Sequence, residues 1–387
     1  MAGMEYALTE EQRLMVTTVE DFLRAECSSA YVRELDEREQ FPFELYRRFA
    51  SLGMTGLHFP PQYGGAGGSW VDVCLVATEL AKVSGSIYMA LLSTPVFAGE
   101  ALLVGGTEQQ KSTFLPQIAK GELIVAFSLT EADAGSDAMA IRTRARARGD
   151  HYVLRGTKMF TSAADVAQRI LTVTRTETGG RPHEGLTLFL VDAASPGLHI
   201  TPIKKLGHQA VHACEIVFDD VCVPATDMLG ERNGGWKVAR ATLDAERIWA
   251  GATGLGAALG AFELALRYAK QRHQFGRPIG KFQAIAHMVA EMLVDIEAAR
   301  QLALLAAWKK DRGLPCSKEA SMAKYVAAET AQRVATRGMQ ILGGYGYTME
   351  YDMQRYYRES KLMEVAGGTT EIQKNIIAAE LGLGRRR

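Results

Sequence analysis

The sequence predicts an α+β chain in three parts, helical at both ends and β in the middle. Three observations predict it. Apolar residues recur at helical intervals before about residue 120 and again after about residue 234. Between these regions, short runs rich in β-branched and aromatic residues alternate with turn signals. The 387 residues, 47% of them apolar, suffice for two or three domains with sizeable cores. The boundaries read from this texture are a helical domain over 1–120, a β domain over 121–233 and a second helical domain over 234–387.

Each element has its own signal. Ala7-Leu8-Thr9 before Glu10, Glu11 and Gln12 reads as a helix cap followed by a first-turn acidic pair. Pro60-Pro61-Gln62-Tyr63-Gly64-Gly65-Ala66-Gly67-Gly68 breaks the first helical region as a loop; no Walker-type lysine follows it. Strands are expected at Leu123–Leu129, Tyr152–Leu154, Ile170–Thr174, Leu186–Val191 and Cys214–Phe218, the last ending at Asp219-Asp220. Past Gly234, Ile285, Met288, Val289, Met292 and Ile296 fall at helical spacing and read as core. Gly313-Leu314-Pro315 separates them from a further helix around Ala320–Met339.

Composition excludes several classes. With 44 Lys+Arg against 44 Asp+Glu the net charge is zero, which does not supply the basic field that nucleic acid requires. Arg385–Arg387 reads as a frayed tail. The five cysteines are odd in number and form no C-x-x-C pair, so neither a disulfide framework nor a zinc site is expected. No metal is assigned: His183-Glu184 has no second histidine at ligand spacing. No signal peptide is visible, and no apolar run approaches the roughly 20 residues that span a bilayer. The expectation is a cytoplasmic protein, or a mitochondrial-matrix one if a transit peptide precedes this numbering.

Five stretches carry chemistry. Phe127-Ser128-Leu129-Thr130-Glu131-Ala132-Asp133-Ala134-Gly135-Ser136-Asp137 leaves a strand for a turn rich in hydroxyls and backbone donors, suited to anionic or carbonyl-rich ligands. Lys158-Met159-Phe160-Thr161-Ser162 sets an aromatic beside two hydroxyls, an arrangement that can flank a planar ring. Arg272-His273-Gln274-Phe275-Gly276-Arg277, running on to Gln283, concentrates cations and an aromatic between two helices, where a pyrophosphate would find charge-assisted hydrogen bonds. Gln340-Ile341-Leu342-Gly343-Gly344-Tyr345-Gly346-Tyr347 and Gly367-Gly368-Thr369-Thr370-Glu371-Ile372-Gln373 complete the set. Each alone is equally readable as a turn or a strand end. Gly254 to Gly260 faintly resembles a dinucleotide fingerprint, but no strand precedes it; close helix packing is the better account.

In this order and at these separations the five stretches resemble the acyl-CoA dehydrogenase family along essentially the whole chain. The resemblance implies an N-terminal helical domain, a central β-barrel-like domain and a C-terminal four-helix bundle, assembled as a homotetramer, a dimer of dimers. It implies FAD as cofactor, bordered by Phe127, Leu129, Thr130, Gly135 and Ser136, with Ser162 near flavin N5 and Phe160 beside the ring. Arg272, Phe275, Gln283, Gln340 and Gly344 would hold the FAD of a neighbouring subunit, and Thr369 and Glu371 would lie by the subunit's own.

One position departs from the pattern. Many family members carry the catalytic glutamate where this chain has Gly367, which cannot take a proton. Glu246, in Leu243-Asp244-Ala245-Glu246-Arg247-Ile248, matches the position where the isovaleryl- and long-chain-type branches, and the branch that reduces crotonobetainyl-CoA, place the carboxylate. The structural alternative is an ordinary acid favoured by the helix dipole at the opening of a helix; the missing side chain at 367 favours the base. The resemblance then implies that Glu246 removes the Cα proton while the Gly367 backbone N–H steadies the enolate oxygen and hydride passes from Cβ to flavin N5. Ser136, Asp244, Arg247 and Gly368 are the expected substrate contacts. Ala366, Gly367 and Gly368, three small residues in a row, are expected to leave room for branched or cyclic acyl groups. The substrate is an acyl-CoA, or alternatively an acyl-carrier-protein thioester, with an electron-transfer flavoprotein as electron partner. The reverse reaction, enoyl-thioester reduction, and a non-catalytic flavin- or acyl-CoA-binding subunit are the competing readings.

Overall fold

A computed structural model describes residues 8–383; the Arg385–Arg387 tail lies outside the described residues. Thr9 caps α1 (Glu10–Glu26) through a capping box with Gln12. There follow α2 (Ser29–Arg38), α3 (Phe43–Ser51), α4 (Trp70–Val83), α5 (Gly85–Thr94), α6 (Glu100–Gly105) and α7 (Glu108–Ala119). Between α5 and α6 the chain widens into a π-turn at Pro95–Gly99, a form frequent at functional sites.

The central domain holds β1 (Val125–Ser128), β2 (Arg144–Arg148), β3 (His151–Ser162), β4 (Arg169–Arg175), β5 (Leu186–Asp192), β6 (Leu198–Ile203), β7 (Ala213–Pro224) and β8 (Met228–Leu229). They form one sheet in the order β6-β7-β3-β2-β4-β5-β8, with β1 parallel to β4. β2 and β4 meet at a single residue pair, Arg144 and Arg175, so the sheet bends there into two halves. The halves close on a shared core in which the rings of Tyr152 and Phe189 lie 4.8 Å apart, giving the barrel-like form. Three strands escape the sequence reading, the two-residue β8 among them. β2 is Arg-Ala-Arg-Ala-Arg with no β-branched residue, and β6 is a largely exposed edge strand containing Pro202. Asp219-Asp220 does not end its strand. β7 runs through it as a bulge, Asp220 at φ 54° and the register against β3 shifting there.

The C-terminal domain is built on α8 (Gly235–Gln271), α9 (Gln283–Asp311) and α10 (Ser317–Leu342), with α11 (Met353–Val365) and α12 (Thr370–Glu380) packed on α10. A small hairpin, β9 (His273–Gln274) and β10 (Arg277–Pro278), joins α8 to α9. On α9, Met292 and Ile296 are fully buried, whereas Ile285, Met288 and Val289 are only half-buried and Val294 is exposed. The expected core stripe is therefore complete only in the second half of that helix. Gly254 packs as expected: a Cβ there would stand 2.9 Å from Ala327 Cβ. Two helical stretches, Gly85–Gly105 and Gly235–Gln271, are long and apolar enough to cross a membrane, contrary to the sequence reading. Most of each is buried inside the fold, which accounts for their apolarity. α4 ties the first domain to the last: Asp311, at the end of α9, accepts from the Trp70 and Val71 N–H groups, and Thr78 Oγ1 donates to the Ala252 carbonyl.

Candidate active site

Small residues bring α8 and α10 together. On α10, Ala320, Ala323, Ala327, Ala331 and Ala335 recur every three or four residues and are all buried. Opposite, a Cβ on Gly251 would stand 3.0 Å from Ala323 Cβ. This seam fixes the face of α8 that carries Glu246. The glutamate lies eleven residues into the helix, past its third turn. The macrodipole acts only over the first turn, so the alternative of a dipole-favoured acid fails. Glu246 is half-buried. Burial pushes its carboxyl up to about 7, against the lowering pull of Arg247 and Lys324. Arg247 is engaged by Asp244 at 2.6 Å, and Asp244 in turn accepts from Ser317 Oγ at 2.6 Å. These two residues therefore brace the helix flank through each other and Ser317. Two buried donors beside Glu246, Arg247 Nε and Trp249 Nε1, have no acceptor among the described residues.

The loop from Ala366 to Thr369 faces Glu246. Gly367 and Gly368 have φ of 62° and 82°, the left-handed region that suits glycine. A Cβ on Gly367 would stand 2.8 Å from Glu246 Oε1. The carboxylate thus occupies the space beside the missing side chain, and the Gly367 N–H has no acceptor among the described residues. A Cβ on Gly368 would stand 2.9 Å from Gln373 Nε2. The space beside Gly367 is thus taken by Glu246 and that beside Gly368 by Gln373, so any room for a branched acyl group would lie beyond these two side chains. Thr369 caps α12 by accepting from the Ile372 N–H at 3.3 Å, and Glu371 is an exposed acid of its first turn.

The first two motifs are welded by a pair the sequence reading passed over. Lys158, fully buried, donates to Glu131 Oε1 at 2.9 Å and to the Leu129 carbonyl at 2.8 Å. Glu131 also accepts from the N–H groups of Arg142 and Thr143. Burial works to raise the Glu131 carboxyl, but Lys158 and these N–H groups outweigh it and hold it below the usual range. Around this anchor, Thr130 is half-buried while Gly135 and Ser136 are exposed, and a Cβ on Gly135 would meet nothing. On β3 a bulge follows Lys158; Phe160 takes φ 59° and turns outward, 61% exposed, with Ser162 two residues on.

The third and fourth motifs meet elsewhere. Arg272, Gln274, Ile279, Gly344 and Tyr345 line a cleft of about 500 Å³, with the Arg272 guanidinium over the Tyr345 ring at 5.7 Å. Phe275, at the tip of the hairpin, is 92% exposed; Gln283 and Gln340 are exposed as well. None of the residues lining this cleft belongs to the first, second or fifth motif.

An aromatic wall, also missed, joins the first motif to α8. The rings of Phe127 and Phe97 stack at 5.5 Å, Phe97 meets Trp249 edge-on at 5.8 Å, and Trp249 meets Tyr88 at 5.3 Å. Trp249 stands one helical turn beyond Glu246. The one local signal for Phe97 is Pro95, the proline at the start of the π-turn.

The chain matches the acyl-CoA dehydrogenase N-terminal domain over residues 9–122, the middle domain over 126–221 and the C-terminal domain over 233–382. It is 39% identical to a short-chain-specific acyl-CoA dehydrogenase of Clostridium acetobutylicum, covering 98% of this chain and all of that one. It is 37% identical to the acryloyl-CoA reductase (NADH) of Anaerotignum propionicum, covering 98% and 97%. The solved structure of butyryl-CoA dehydrogenase from Megasphaera elsdenii superposes with a TM-score of 0.94 at 37% identity, covering 98% and 100%. The chain belongs to the acyl-CoA dehydrogenase family, a family of FAD-dependent flavoprotein oxidoreductases. Two separate parts of the chain have the chemistry to hold pieces of that cofactor: the outward-turned Phe160 and the open space at Gly135 suit a planar ring, and the Arg272 cleft with open space at Gly344 suits a pyrophosphate.

Proposed function

We propose that this protein removes the Cα proton of an acyl-CoA thioester with Glu246, in α,β-dehydrogenation of a short acyl chain. The observation that carries the reading is the juxtaposition of the Glu246 carboxylate with the Gly367 turn, whose N–H is free to donate. A thioester α-proton is weakly acidic, so a base must act while the developing enolate oxygen accepts a hydrogen bond. Glu246 supplies the first and Gly367 the second. A carboxyl near 7 is poised for this work, since general-base efficiency is greatest when the pKa lies close to the operating pH. Asp244 and Arg247 brace the base, and the aromatic wall from Phe127 to Trp249 keeps water from it and bounds the acyl chain. Phe127, Leu129, Thr130, Gly135, Ser136, Phe160 and Ser162 flank FAD on one side; Arg272, Phe275, Gln283, Gln340 and Gly344 serve the FAD of a neighbouring subunit in a homotetramer. FAD, when bound, supplies the hydride acceptor, and an electron-transfer flavoprotein takes the electrons onward.

The same carboxyl supports the reverse direction. Near neutrality it is partly protonated and can return a proton to Cα of an enoyl thioester, the direction named for the acryloyl-CoA reductase relative.

Glu246→Gln keeps size and hydrogen bonding but not basicity. It is expected to retain FAD and bind butyryl-CoA while slowing anaerobic flavin reduction about 100-fold or more, within the range of general-base catalysis. Reduction at the wild-type rate would place the base elsewhere.

A further inference from the structure

Behind the Gly367 turn sits a lysine that the mechanism leaves without a task. Lys324, on α10, is 1% exposed. Its Nζ donates to the Gly368 carbonyl at 2.6 Å. No carboxylate lies within 4.0 Å of that nitrogen among the described residues. A buried ammonium without a paired anion is costly, so its retention calls for a compensating role. The charged groups facing it are Glu246 and Arg247 from α8, Glu364 from α11 and Glu371 from α12. Those facing Glu246 are Arg247 on its own helix and Lys324. The α8–α10 seam therefore sets one fixed cation opposite the carboxylate. The same cation grips the residue next to the Gly367 N–H. Gln373 reinforces the grip, donating to the Gly367 carbonyl at 3.1 Å and the Gly368 carbonyl at 2.9 Å.

We propose that Lys324 is the positioning residue of this site: it pins the Gly367–Gly368 turn through the Gly368 carbonyl and, as a fixed buried cation, favours the carboxylate form of Glu246. One residue thereby aligns the oxyanion donor and readies the base. The inference rests on the reading of Glu246 as that base. A neighbouring opposite charge stabilises a carboxylate, so removing it should make Glu246 harder to ionise. Burial draws the ammonium down to about 8, so it remains a cation at neutral pH.

The test compares Lys324→Gln, which keeps a donor for the Gly368 carbonyl but no charge, with Lys324→Arg, which keeps both. Flavin reduction by butyryl-CoA is followed across pH in the FAD-loaded enzyme. In Lys324→Gln the acid-side limb of the rate profile is expected to move up by about one unit, and Lys324→Arg to restore it. A merely structural lysine would lower the rate equally at all pH values and leave the limb in place; that result overturns the proposal. The second readout needs no turnover: the infrared carboxyl band of Glu246, obtained as the difference from Glu246→Gln, is titrated without substrate. In the Lys324→Gln background that titration is expected to move in the same direction, and an unmoved titration overturns the proposal. Failure of the base reading is seen separately, as wild-type flavin reduction by Glu246→Gln, and the infrared comparison still decides what Lys324 does to the carboxyl.

Discussion

Glu246 has a consequence for stability as well as chemistry. Its carboxyl titrates at about 7 in the folded protein, above the ordinary glutamate value of about 4.3. Between those values the folded chain holds a proton that the unfolded chain has released. The stabilisation is complete below about 4.3 and is lost as pH rises through about 7. Glu246→Gln, neutral at every pH, is therefore expected to melt above the wild type at alkaline pH, by up to about 3 kcal/mol of stability. Calorimetry at several pH values should show the gap closing toward zero near pH 4. At this scale Glu246 and Gly367 were legible because a glycine where a carboxylate is expected directs attention to the other candidate. Lys324 was not. Within Ser-Met-Ala-Lys-Tyr it reads like any solvated helix cation, and only the packing of α12 against α10 reveals that it is buried.

At the scale of elements, the join between β1 and β3 depends on Lys158 and Glu131. Lys158→Met removes the cation and strands a buried carboxylate, a loss of roughly 3–5 kcal/mol for a broken buried pair. The expected result is a lower denaturant midpoint together with weaker FAD retention, both readable from flavin absorbance released on unfolding. A variant that keeps its wild-type midpoint would show the pair to be energetically idle. The long helices and the buried strand β5 were plain in the sequence because burial on one or both faces writes a pattern. β2 and β6 were not, because an arginine-rich strand and an exposed proline-bearing edge lack that pattern; pairing with neighbours, not composition, makes them strands. The bulges at Phe160 and Asp220 were equally invisible, since each adds one residue without a glycine to mark it.

At the scale of the molecule, large apolar side chains stand in the open where the cleft lies. Phe275 is 92% exposed and Tyr347 82%, beside Arg272 and Tyr345. Exposed apolar groups beside a charged cleft suit the neighbouring-subunit role proposed above. Arg272→Ala is expected to weaken FAD retention at least about tenfold, in keeping with the loss of charge-assisted hydrogen bonds worth about 1.5–3 kcal/mol, and to loosen the assembly with it. Flavin content after gel filtration, read alongside light scattering for subunit number, checks both. A variant that retains full FAD and an unchanged mass would remove the cleft from the cofactor's site. The order of the three domains could be read from texture alone. The meeting of the Arg272 stretch with the Gly344 stretch could not, because it depends on α8 and α10 ending at the same side of the bundle.

The seat of Glu246, deep within a rod of 37 residues clamped along an alanine seam, carries a mechanical consequence. The carboxylate inherits the stiffness of that rod. The donor opposite it sits on a two-glycine hinge between α11 and α12. Any misalignment of the two partners would therefore enter through the hinge, whose two carbonyls Lys324 and Gln373 hold. Alignment then turns on how firmly those tethers grip a span of two residues.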